Sequence, residues 1–76
     1  MITLTRHGPP ETWVRQLFSS KQALCGGVIR RAAKDVDREM GRAALEREVR
    51  RRGWHMLESG DQVVIICSDD ELRVIC

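Results

Sequence analysis

Residues 41–67, GRAALEREVRRRGWHMLESGDQVVIIC, constrain the fold more than any other stretch. Residues 42–52 contain no Gly or Pro and are mostly strong helix formers. Leu45 and Val49 are four apart and share one face. Glu46 stands four before Arg50, and Glu48 four before Arg52, the favourable order for a helical ion pair. Arg50, Arg51 and Arg52 crowd the last turn, where a helix end prefers cations. Gly53 then suits the residue that closes a helix. Residues 54–58 read as a strand and Ser59-Gly60-Asp61 as a turn. Residues 62–67 are β-branched and apolar on both faces, as a central strand should be.

The segment upstream cannot continue that helix. Ala33, Val36 and Met40 share a face. Leu45 lies five positions after Met40, about 140° further round the axis. One continuous helix would aim its two apolar stripes apart. A break at Gly41 lets both face one core, so the spacing predicts helices at 34–40 and 42–52.

The other elements follow from local pattern. Ile2-Thr3-Leu4-Thr5 alternates like a short strand. Pro9-Pro10-Glu11 suits a first helical turn, and Trp13, Val14, Leu17 and Phe18 form an apolar stripe behind it. That helix ends at Ser19-Ser20 or runs to Cys25, before Gly26-Gly27. Residues 28–31 read as a strand. After the hairpin, Ser68-Asp69-Asp70-Glu71 is a turn and residues 72–76 a terminal strand, which makes 54–76 a three-strand meander. The predicted fold is α+β, one domain over 1–76. An N-terminal helix and a broken helical region pack on a small antiparallel sheet.

Composition narrows the function classes. The chain has 76 residues with two Trp, one Phe and no Tyr, a thin core that leaves room for a homodimer or a partner complex. No apolar window reaches the length of a membrane span or a signal peptide, so no membrane partner is expected. Cys25, Cys67 and Cys76 are odd in number and match no zinc spacing, which points to a reducing, cytoplasmic setting. Net charge is +2 but segregated. Residues 30–52 hold nine of the thirteen bases against five acids. Residues 58–76 hold five acids against Arg73. Such asymmetry steers an anionic partner to one face.

Three local patterns resemble known families. Ile2-Thr3-Leu4-Thr5-Arg6-His7-Gly8 resembles the first strand and Arg-His-Gly signature of the histidine phosphatases. That resemblance implies His7 as phosphorylated nucleophile and Arg6 as phosphate holder. The family's fold needs a far longer chain and a second active-site His, whereas the only other one is His55, with no Gly after it. Residues 42–67, with the Gly53-Trp54 step, resemble the small mRNA-interferase toxins with a double-stranded-RNA-binding-like fold. This implies RNA binding, but their hairpin His is replaced here by Glu58-Ser59-Gly60-Asp61-Gln62. A winged-helix reading takes 34–40 and 42–52 as a helix-turn-helix and 54–67 as the wing. The usual small residue four before the turn Gly and apolar residue six after it are Asp37 and Arg47 here.

No catalytic constellation, cofactor loop or metal site emerges. His55, Asp61 and Cys67 have no spacing that argues for a nucleophile, and Trp13 and Trp54 are assigned to packing. The reading is a non-enzymatic binding protein with no cofactor. In size and character it resembles small phage-encoded accessory proteins such as anti-CRISPR inhibitors, which implies docking on a nucleoprotein complex. Direct RNA or DNA binding is the alternative, and a phosphatase remnant the third reading. The candidate partner-binding residues are Arg47, Arg50, Arg51, Arg42 and Arg38. The first three point away from Leu45 and Val49.

Overall fold

The computed structural model describes residues 10–76. The strand expected at 2–5 and the Arg6-His7-Gly8 signature lie outside them. Helix α1 spans Pro10–Phe18 and stops where Ser19 turns its hydroxyl onto the Arg15 carbonyl at 2.7 Å. Such back-bonding competes with helix continuation. Ser20 then caps the short α2, Lys21–Leu24, by accepting from the Ala23 N–H at 3.4 Å. Strand β1, Val28–Ala32, leads directly into α3, Ala33–Glu39. Helix α4 spans Arg42–Arg51, and the hairpin consists of β2, His55–Ser59, and β3, Gln62–Ile66.

The break between α3 and α4 falls where the two stripes required it. Gly41 caps α4 with φ 88° and ψ 146°. That backbone region is essentially closed to residues with a Cβ. Val36, Leu45 and Val49 are consequently buried in one cluster with Ile29, Val63 and Ile65. Burying a side chain of this size stabilises by about 1.5–3 kcal/mol. The far end of α4 closes with two bonds, Gly53 N–H to the Arg50 carbonyl and Trp54 N–H to the Val49 carbonyl. This pair satisfies carbonyls that the helix leaves open.

The sheet corrects one expectation. Its order is β1-β3-β2, with both pairings antiparallel. The third strand is therefore β1, not residues 72–76, and 54–76 is not a meander. A strand has two edges, and both edges of β3 are taken. Val28 faces Ile66 on one side and His55 faces Ile66 on the other. β1 also delivers Ile29 into the core, whereas Val74 and Ile75 stay 79% and 83% exposed. On β3, Val63 and Ile65 lie buried, and Val64 and Ile66 are half-buried on the opposite face. That two-sided covering explains its unbroken apolar run.

The hairpin turns at Gly60-Asp61. Gly60 has φ 60° and Asp61 has no positive φ, the pattern of a type II′ turn. The turn is tied down, because the Ala33 N–H that opens α3 donates to the Asp61 carbonyl at 2.7 Å. Among the described residues, no helix is long and apolar enough to cross a membrane.

Candidate functional site

Helix α4 forms a ridge on the surface. Leu45 and Val49 hold it to the core, so the residues half a turn away face outward. These are Ala43, Arg47, Arg50 and Arg51, all exposed. Arg50 is paired with Glu46 across one helical turn. Arg51 Nη2 lies 3.1 Å from Glu48 Oε1, and Arg52 Nη1 lies 3.0 Å from the same oxygen. The hydrogen bond from Arg52, aided by the charges of Arg51 and Arg47, holds the Glu48 carboxyl below its ordinary pKa. Arg47 has no carboxylate partner among the described residues.

The expected five arginines are divided between α3 and α4. Arg47, Arg50 and Arg51 share the outward face of α4. Arg42 is used structurally. It grips both oxygens of Asp37 at 3.0 and 3.1 Å and reaches Glu58 Oε2 at 2.6 Å. It thereby joins α3, the start of α4 and β2. The Asp37 carboxyl is held below its ordinary pKa chiefly by the hydrogen bond from Arg42, whose own pKa is raised by both carboxylates. Arg38 stands on α3, bonded to Asp35 at 2.9 Å, with Glu39 at 3.5 Å.

A groove flanks α4 on each side. The first, about 560 Å³, runs between α4 and β2 and is lined by Arg42, Glu46, Arg50, His55, Glu58 and Leu72, among others. The second, about 530 Å³, runs between α1 and α4 and includes Val14, Met40, Ala44, Arg47 and Arg51. Arg47 and Arg51 thus border one groove and Arg50 the other.

Several side chains take roles the sequence left open. Arg52 lays its guanidinium 3.9 Å above the Phe18 ring, and Phe18 packs on Trp54 at 5.8 Å. Trp54 and Trp13 both pack against the core. The Cys67 thiol is buried and its pKa pushed up, mainly by that burial. The hairpin sets His55 and Asp61 at opposite ends, His55 opposite Ile66 and Asp61 in the turn. His55, Asp61 and Cys67 therefore form no triad. Instead His55 Nε2–H donates to the Asp70 carbonyl at 2.6 Å, a contact between residues 15 apart that nothing in the local sequence signals. Among the described residues, no cluster of His, Cys, Asp and Glu is arranged to hold a metal ion.

No family model, curated protein or solved structure matches the chain.

Proposed function

We propose that this protein binds double-stranded nucleic acid through a helix-turn-helix, with α4 as the helix that enters a groove. The observation that carries the reading is the arrangement of α3, the Gly41 turn and α4 on a β1-β3-β2 sheet. It leaves a helix held by its inner face and presents Ala43, Arg47, Arg50 and Arg51 outward. A small residue allows close approach, and the arginines match phosphates or the acceptor edge of guanine. The missing apolar residue six after the glycine has a physical explanation. Gly41 is itself the N-cap of α4, so the inward residue arrives four after it, at Leu45. Exposed ion pairs are worth about 0–1 kcal/mol, so phosphates can compete for Arg50 and Arg51.

The hairpin plays a lesser part in this reading. β1 pairs with β3 along its length, and the turn is bonded to α3, so the hairpin does not project as a separate arm. It also carries Glu58 and Asp61, which repel phosphates. These acids favour a second reading, a phage-type inhibitor of the anti-CRISPR kind whose mixed-sign face meets a protein of a nucleoprotein complex.

One titration separates the two. Anisotropy of a short labelled DNA duplex should show binding that weakens steeply with salt. Three phosphate contacts give a log–log slope of about −2.7. Arg47→Glu/Arg50→Glu/Arg51→Glu should lose binding about tenfold or more and flatten that slope, with an unchanged circular dichroism spectrum. Absence of duplex binding at low salt rejects the first reading. The second then requires that the chain bind a CRISPR effector complex and that the same triple variant abolish it.

A further inference from the structure

The tail after β3 combines acid and apolar character in a fixed order. Asp69, Asp70 and Glu71 precede Leu72, Val74 and Ile75. None of these apolar side chains is buried. The tail's resting contacts are slight. Asp70 accepts the His55 hydrogen bond, and Leu72 borders the groove beside β2.

Among the described residues no strand pairs with the outer edge of β1, and that edge presents the complementary order. Leu24 and Val28, 76% and 51% exposed, lie at its start. Arg30, Arg31 and Lys34 follow, all exposed and without carboxylate partners among the described residues. The bonds from Cys67 N–H to the Gly27 carbonyl and from Ala33 N–H to the Asp61 carbonyl fix which residues face β3. Val28 and Arg30 accordingly turn their backbone N–H groups outward, the template of an unpaired edge. Self-pairing of two β1 edges about a two-fold at Arg30 would set like charges opposite each other, which is destabilising.

Matching acid to base and apolar to apolar requires the tail to run antiparallel to β1. A register that places Glu71 opposite Arg31 and Val74 opposite Val28 does both. Chain reach excludes this pairing within one molecule. Cys67 bonds to Gly27, at the start of β1. Glu71 lies four residues later, a reach of about 14 Å. The place opposite Arg31 is about 13 Å along β1 and two strand spacings across it, a path of about 16 Å.

We propose that the tail of one copy adds as a strand to the β1 edge of a second copy, reciprocally, giving a two-fold dimer. This surface is separate from α4, and the proposal does not rest on nucleic-acid binding. Backbone bonds supply the pairing, and the Glu71–Arg31 and Val74–Val28 pairs set its register.

Sedimentation equilibrium of the full chain under reducing conditions tests it. The wild type should sediment as a dimer. Val74→Glu/Ile75→Glu should weaken association about tenfold or more, with an unchanged circular dichroism spectrum because both residues are exposed. Arg31→Glu should do the same, and adding Glu71→Arg should restore the dimer. Mild oxidation of the dimer should link Cys76 of one copy to Cys25 of the other, since this register brings Cys76 opposite Gly26. A wild type that stays monomeric overturns the proposal. So does a dimer indifferent to the Val74/Ile75 substitutions, or one whose oxidation gives no Cys25–Cys76 link between copies.

Discussion

Gly41 sets the sign of its own substitution against helix propensity. Alanine is the better helix former by about 1 kcal/mol. At φ 88° and ψ 146°, however, a Cβ is strained by about 1–3 kcal/mol. Nothing lies within 4 Å of where that Cβ would stand, so the penalty belongs to the backbone and not to a clash. Gly41→Ala should therefore lower the melting temperature. A variant that melts higher, with one continuous helix by NMR shifts, would contradict the break. Leu45 makes the complementary case, because it is fully buried on the only inward stripe of α4. Leu45→Ala should cost about 2–5 kcal/mol, a large part of the ~4–11 kcal/mol that 76 residues support. Urea denaturation should show a midpoint far below that of the wild type.

At the scale of elements, Arg42 fastens α3 and α4 to the hairpin, and acid should loosen that fastening. Asp37 and Glu48 both have lowered carboxyl pKa values. Their contribution to stability is complete above about pH 4, the ordinary carboxylate range. It is lost as pH falls through the lowered native values. Thermal melts from neutral to acid pH should show this loss, and Asp37→Asn/Glu48→Gln should flatten it. An unchanged acid dependence in the double variant would assign the loss to other carboxylates. The same element shows why part of the site was legible and part was not. The Glu48–Arg52 and Glu46–Arg50 pairs follow from helical spacing alone. The Arg42–Glu58 bond spans 16 residues and depends on where the hairpin docks. The tail departs from its local pattern for a related reason. Leu72-Arg73-Val74-Ile75 has the composition of a strand, but local pattern does not say whether an edge is free to receive it. Residues 28–31 have a weaker pattern and win the edge because Ile29 reaches the core.

For the whole molecule, one core serves both helical layers and the sheet, and the α+β architecture read from periodicity stands. What periodicity could not supply was the strand order, since β1 and β3 are separated in sequence by both helices of the turn. That order governs how the protein comes into being. The middle strand of the sheet is the last to be made. Until residues 62–66 leave the ribosome, β1 has no neighbour, and Val36, Leu45 and Val49 have no sheet to cover. At about 5–20 residues per second, β1 waits some 2–7 s for that strand. The nascent chain should therefore remain open to chaperones and proteases throughout its synthesis. It should then close in a single step, so that a chain halted before Gln62 yields no folded intermediate.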